Sequence, residues 1–342
     1  SSIARRMNMV EKQNVELKLI HMEDVVSKEV EWLWYPYIPY GKITIIEGDP
    51  GEGKTTLILN IAALLSKGLP LPCADDIPYE PMAVIYQTAE DGLEDTIKPR
   101  LEQAGADCTK VRVIDESEKE LTMSDERLEQ AIIETKARLI ILDPIQAYIG
   151  ATVDMHRANE IRPVLKRLGM IAEKYQCAII LIGHMNKASG TKSTYRGLGS
   201  IDIQATARSV LLVARLKDKP NIRIMAQDKS SLAPAGDSIG FEFSEANGFE
   251  CIGPYDITID ELLSGQEGRG KKKFDVAISF ITEYFKSNRE VSSKQIEDEA
   301  ATQGIKRNTL LSAKKKLGIV ADKRKQSDGK QYWIWIMPEK RV

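Results

Sequence analysis

The chain has 342 residues, 42% apolar and 29% charged, which suits one large α/β domain with a small second domain attached. The sequence has no apolar run of about 18 residues, no signal-peptide core at the N-terminus and no C-x-x-C pair among Cys73, Cys108, Cys177 and Cys251, so a membrane span, a secreted disulfide framework and a zinc site are not expected, and a soluble cytoplasmic protein is. The net charge of −2 conceals an asymmetry, because residues 271–342 hold 17 Lys/Arg against 9 Asp/Glu, a surplus of eight, while the remainder carries −10.

Residues 1–40 read as a weakly helical lead that ends in the aromatic and proline-rich stretch EWLWYPYIPYGK, expected to pack against the core. From residue 41 to 255, apolar runs alternate with helical stretches. KITIIEG precedes a helix over 53–66, MAVIYQ one over 92–105, VRVI one over 124–136, and RLIILD one over 157–175; CAIILIGH follows. Runs that are apolar at every position indicate strands covered on both faces, so the rhythm predicts a mainly parallel sheet with helices on each side. The polar stretch from 185 to 200 is too long for an idle connection and is a candidate functional loop. RSVLLVARL, IRIMAQDK and SIGFEFSE then predict an antiparallel extension of the sheet.

Residues 256–273 read as a linker, Gly-rich and charged from 264 onward. The last segment, 274–342, follows another plan: three helices, with Ser292 or Ser293 capping the second, and a hairpin turning at Asp328-Gly329. That order predicts a small winged helix-turn-helix domain.

EGDPGEGKTTL supplies the strongest motif. Gly48, Gly53, Lys54 and Thr55 fit G-x-x-x-x-G-K-[ST], within the run Gly48, Asp49, Pro50, Gly51, Glu52, Gly53, Lys54, Thr55 and Thr56. Glycines let backbone N–H groups wrap phosphates, Lys54 neutralises phosphate oxygens, Thr55 offers a hydroxyl to Mg²⁺, and the following helix adds its positive end. Asp143 ends a buried strand where a Walker B aspartate would hold the same Mg²⁺, although a strand ending in Asp-Pro is also an ordinary turn. Glu90 and Asp91 end another strand: Glu90 reads as the base that orients or deprotonates water, Asp91 as a helix-start residue, and both could be helix caps. On residue type alone His184 is a strand-end histidine, Arg196 a solvated cation and Lys229 unremarkable.

The order GDPGEGKT, YQTAED, IILDP, LIGHMNK, YRGLGS, AQDKSS resembles the RecA-type ATPases, and within them the RepA-like hexameric helicases of plasmids and other mobile elements, over residues 30–250. The resemblance implies a RecA-like fold, ATP with Mg²⁺ as cofactors, Glu90 as catalytic glutamate and His184 as the residue sensing the γ-phosphate. It further implies Arg196 as an arginine finger and Lys229 as a second basic residue, each reaching a neighbouring subunit's nucleotide. A finger given in trans requires a homo-oligomer, by the resemblance a hexamer. Arg100, on the helix after Glu90, falls where such ATPases often place a nucleotide-proximal arginine, and reads equally well as a solvated helix cation.

The appended C-terminal domain departs from the RepA pattern. In KRNTLLSAKKKLG the leucines 310, 311 and 317 are expected to face that domain's core, leaving Lys306, Arg307, Lys314, Lys315 and Lys316 for DNA phosphates, while the wing adds Lys323, Arg324, Lys325 and Lys330. The same surface could instead be a protein contact. Trp333 and Trp335, which alternate with Tyr332, Ile334 and Ile336, read as hairpin packing rather than as base-stacking platforms. Lys187 and Lys192 in the polar loop are expected on single-stranded DNA. Two functions remain: an oligomeric DNA motor, the replicative helicase of a mobile element, or an ATP-switched DNA-binding regulator, loader or recombination factor with little unwinding.

Overall fold

The computed structural model describes residues 17–74, 78–185, 201–244, 248–266, 268 and 272–338. The chain divides into two compact units, residues 1–30 and 31–342. The described part of the first carries one 3₁₀ turn, Met22–Asp24.

The second unit is built on a nine-stranded sheet. Its strands are β3 (Ile43–Gly48), β4 (Val84–Thr88), β5 (Val111–Arg112), β6 (Leu139–Asp143), β7 (Ala178–His184), β8 (Ser209–Arg215), β9 (Ile222–Ser230), β10 (Ile239–Ser244) and β11 (Gly248–Pro254), in the order β11-β10-β9-β8-β3-β7-β6-β4-β5. The strands from β5 to β8 in that order are parallel, and β9, β10 and β11 join antiparallel, as the change of rhythm after residue 208 predicts. Before it, β1 (Trp32–Trp34) and β2 (Ile38–Pro39) form a small ribbon whose Leu33, Trp34, Tyr37 and Ile38 are fully buried.

Both faces of the sheet are covered. Helices α1 (Lys54–Ser66) and α2 (Lys98–Gln103) bury Leu57, Ile58, Ile61 and Leu101 against Ile46, Tyr86, Ile141 and Ile180. On the opposite face α3 (Glu126–Thr135), α4 (Ile145–Tyr148) and α5 (Ala158–Tyr175) bury Leu128, Ile145, Leu165 and Leu168 against Ile45, Ile140, Leu142 and Ile179. Alternate residues of one strand therefore serve two cores, which is why the runs show no polar alternation. The helix expected over 92–105 differs from expectation: it opens as a π turn, Leu93–Ile97, before α2. Among the described residues no helix is long and apolar enough to cross a membrane.

Part of the stretch assigned to a linker is folded. Helix α7 (Ile259–Ser264) starts at a reciprocal capping box between Thr258 and Glu261, and Leu262 with Tyr255 and Ile257 is buried against Leu212, Leu216 and Ile224. Charge and glycine content masked those few apolar residues.

Beyond it come α8 (Lys272–Tyr284), β12 (Glu290–Ser292), α9 (Ser293–Thr302), α10 (Arg307–Lys316), β13 (Val320–Lys325) and β14 (Gln331–Ile336), with sheet order β12-β14-β13. Ala277, Ile281, Ile296, Leu310, Leu311 and Trp335 form their own small core. A short helix between β7 and β8, α6 (Ile201–Thr206), follows the polar loop, whose residues 186–200 lie outside the described set.

Candidate functional site

The register of the parallel strands sets the site. Gly48 of β3 pairs with His184 of β7, and Thr88 of β4 pairs with Asp143 of β6, so the four strands deliver their last residues to one edge of the sheet. That edge is where ligands bind in open α/β sheets.

Residues 49–51 form an exposed crest between β3 and α1. Gly48 runs so close to β8 that an added Cβ would collide with the Val213 carbonyl oxygen, and Gly53, the residue before α1, has φ +92°, a conformation that glycine adopts without strain. The unpaired N–H groups of the first turn of α1 consequently face the crest. Lys54 is 5% exposed, and its Nζ donates to the carbonyls of Gly48 and Asp49, 2.8 Å each, and lies 3.3 Å from His184 Nδ1. Burial lowers the Lys54 pKa while the acids Asp143, Asp49, Glu52 and Glu90 work against that shift. An incoming phosphate oxygen would compete with three acceptors for one ammonium.

Asp143 sits beneath the loop, buried. Its Oδ2 accepts from Thr55 Oγ1 at 2.7 Å and from Tyr86 OH at 2.8 Å. Burial raises its pKa, the two hydroxyls lower it, and Glu90 and Asp91 raise it again. A hydroxyl and a carboxylate in contact are hard oxygen donors, the set that suits Mg²⁺. Glu90 is exposed at the mouth, with Oε2 3.8 Å from His184 Nε2. With the Lys54 ammonium as donor, His184 Nδ1 accepts and the ring proton lies on Nε2, the side facing Glu90. Lys54, His184 and Glu90 thus make a continuous polar row, and His184 is a bridge rather than a core histidine.

Three contributors escaped the sequence reading. Tyr86 donates to Asp143 from the middle of β4, and a tyrosine in an apolar strand gives no signal of that role. Arg215 and Arg223, paired across β8 and β9, come from the antiparallel extension: Arg215 Nη2 donates to the Gly51 carbonyl at 3.0 Å, its backbone N–H donates to the Glu52 carboxylate, and Arg223 lies against Gly53. Burial lowers the Arg223 pKa, with Arg215 adding to the shift. Beside α1 lies a cavity of about 460 Å³ lined by Thr56, Asn60, Arg100, Gln103, Phe243 and Phe249. Arg100 also pairs with Asp91 at 3.6 Å. Replacing Tyr86 by Phe strips Asp143 of one of two donors in a buried site, which should reduce unfolding free energy by about 1–2 kcal/mol in urea denaturation and raise the Mg²⁺ concentration needed for half-maximal hydrolysis.

Residues 12–190, more than half of the chain, match the family AAA_25, described as an AAA domain. The chain belongs to this AAA-domain family. With its phosphate loop and strand-end acids it is a RecA-type P-loop ATPase, a class that implies nucleotide binding. It is 25% identical to the DNA repair protein RadA of Halalkalibacterium halodurans over 247 residues, 72% of this chain and 48% of that one, and 23% identical to the DNA repair protein RadA of Bacillus subtilis over 230 residues, 67% and 44%. The chain thus spans about half the length of these relatives. Among solved structures it is similar to the KaiC-like protein PH0186 of Pyrococcus horikoshii (TM-score 0.45, 19% identity, covering 63% of this chain and 90% of that one) and to the RadB recombinase (TM-score 0.43, 20% identity, covering 63% and 91%).

The remaining sequence candidates lie elsewhere. Arg196, Lys187 and Lys192 fall outside the described residues. Lys229 Nζ donates to the carbonyls of Gln204 (2.9 Å) and Ala205 (3.1 Å), at the C-terminal end of α6 and not at Lys54; burial lowers its pKa. In the C-terminal module, Lys314 requires correction: it is 5% exposed, its Nζ 5.0 Å over the Trp335 ring, because positions 310, 311 and 314 share one helical face. Lys306 pairs with Asp237 at 3.4 Å and Arg307 with Glu297 at 2.9 Å, so both are engaged within the protein. Lys315 and Lys316 are exposed, and so are Lys323, Lys325 and Lys330, while Arg324 bonds Asp322 and Glu290.

Proposed function

We propose that the protein is a Mg²⁺-dependent ATP hydrolase that works as an oligomeric DNA motor, with hydrolysis at contacts between subunits. The observation that carries this reading is the polar row Lys54–His184–Glu90 at the sheet edge above Asp143. Backbone N–H groups of Gly51 and of residues 53–55, with the Lys54 ammonium, receive phosphate charge. The cavity beside Thr56 is placed for a nucleobase, with Phe243 and Phe249 as its apolar wall and Arg100 and Gln103 as polar groups. Thr55 and Asp143 would hold Mg²⁺, which would supply charge neutralisation on phosphate oxygens. Glu90, open to solvent, orients a water and takes its proton. His184 touches both the ammonium and that carboxylate, so it relays a change at the phosphate to the loop that follows it.

Arg196 in that loop is assigned the role of the finger given to a neighbour, and Lys187 and Lys192 the role of contacting single-stranded DNA; a ring, by resemblance a hexamer, follows from a finger given in trans. Relatives called DNA repair proteins support DNA as the partner. The test combines hydrolysis with mixing. Arg196→Ala and Glu90→Gln proteins, each inactive alone, should recover part of the wild-type rate when mixed into the same oligomers. No recovery in confirmed mixed oligomers would show a site complete within one subunit.

A second reading is an ATP-switched DNA-binding regulator, loader or recombination factor. It is favoured by the engagement of the first turn of α10 inside the protein, where Asn308 and Thr309 are 2% and 1% exposed. In that reading the C-terminal module is a winged helix whose reading helix is released only in one nucleotide state. Strand displacement on a forked duplex separates the two: hydrolysis stimulated by single strands without any displacement would favour the switch.

A further inference from the structure

The hairpin of the C-terminal module was expected to pack both of its tryptophans, and it packs one. Trp335 is 2% exposed and Trp333 is 41% exposed. The two lie on the same face of β14, and a cavity of about 560 Å³ opens between that face and helices α9 and α10. Its wall is chemically mixed. The Lys314 ammonium lies 5.0 Å over the Trp335 ring, the Lys323 ammonium 4.8 Å over Trp333, and Arg307, paired with Glu297, stands opposite. Ser293 completes the wall, with a buried hydroxyl that has no hydrogen-bond partner among the described residues. A buried hydroxyl without a partner costs free energy unless a ligand or water satisfies it.

We propose that this cleft is a stacking site for one base of a single-stranded nucleic acid. A half-exposed indole offers a flat apolar face, the Ser293 hydroxyl offers a hydrogen bond to a base edge, and cations surround both. The strand continues along the hairpin, where Lys323, Lys325 and Lys330 are exposed and match a repeating phosphate charge. An acidic peptide would find the same cations but would leave the ring and hydroxyl without counterparts. The inference rests on the DNA-acting reading above and adds a second strand contact to it.

Fluorescence anisotropy of the full chain with oligothymidylate and with an abasic oligomer of equal length and charge tests it. Wild type should prefer the base-bearing strand by about 5- to 100-fold, the value of one stacked base. Trp333→Ala should remove most of that preference and leave the salt slope unchanged, whereas Lys323→Glu with Lys325→Glu should weaken both oligomers and flatten the slope. Should Trp333→Ala unfold, Trp333→Phe keeps a ring: it should retain most of the preference while losing the tryptophan quenching seen on binding to wild type. A strand that binds wild type without base preference, or a preference that Trp333→Ala leaves intact, overturns the site. Failure of wild type to bind either oligomer removes the DNA-acting reading as well, so the two failures are distinct.

Discussion

Glu90→Gln is expected to lower kcat for ATP hydrolysis by about 10²- to 10⁴-fold while leaving nucleotide affinity nearly unchanged. The amide keeps the size and polarity of the side chain and cannot take a proton. Glu90 is exposed and faces His184 Nε2 at 3.8 Å, while the phosphate cradle is built from Lys54, the glycines and the helix end. Binding and proton transfer therefore belong to different residues. Lys54→Ala should show the opposite division, losing affinity together with rate, because it removes the only ammonium aimed into the cradle from the described residues. Phosphate release under steady state gives the rate, and titration of a fluorescent ATP analogue gives the affinity. A Glu90→Gln protein with near-normal turnover would reduce Glu90 to a helix-start acid. In that case the loss would appear in thermal stability, through the π turn at Leu93–Ile97, and not in kcat.

The parts of this site that were legible in the sequence are those made by neighbours in the chain. A glycine-rich turn must follow its strand and open its helix within a few residues, so EGDPGEGKTTL announces its own geometry. Parallel pairing delivers the ends of apolar strands to a common edge, which places Asp143, the last residue of β6, there, with Glu90 two residues beyond the end of β4. His184 was ambiguous from its residue type; only the pairing of Gly48 with His184 shows that it stands beside Lys54. Tyr86, Arg215 and Arg223 act across strands far apart in sequence, and nothing local in YQTAED or RLKDKPNIR encodes the contact. The C-terminal helix shows another limit. Periodicity identifies the face of α10 that carries Leu310 and Leu311, and it cannot say whether the opposite face meets water or another part of the chain. Here its first turn meets the ATPase body, which is why Lys306, read as part of a DNA surface, is in use there.

Asp237→Ala is expected to loosen the C-terminal module from the ATPase body and leave hydrolysis intact. The Asp237 carboxylate, 6% exposed, accepts from the Thr309 hydroxyl and faces Lys306 Nζ at 3.4 Å and Lys273 Nζ at 3.8 Å; its backbone carbonyl accepts from Tyr37 OH at 2.6 Å. Asn308 Nδ2 donates to the same Tyr37 oxygen at 2.7 Å, and Ser312 reaches Cys73, whose thiol is held well above its usual range by a hydrogen bond with Cys251 and by burial. Alanine would leave a buried hydroxyl without its acceptor and Lys306 without its anion, while Lys273 keeps Asp256 at 3.2 Å. Because both lysines are about half exposed, their share is screened, and a loss of about 2 kcal/mol is a reasonable magnitude, equivalent to roughly 30-fold in the released population. Hydrogen exchange should then rise in residues 306–317 and proteolysis in 264–273, with the exchange of residues 48–60 unchanged; Asp237→Asn, which keeps an acceptor, should fall between. Duplex binding by the same variant decides what the docking is for. If the first turn of α10 reads DNA, its release exposes Asn308 and Thr309 and duplex affinity rises with the released fraction. Should affinity stay level while exchange rises, the helix is a structural joint, and the hairpin with Trp333 is the surface that meets nucleic acid.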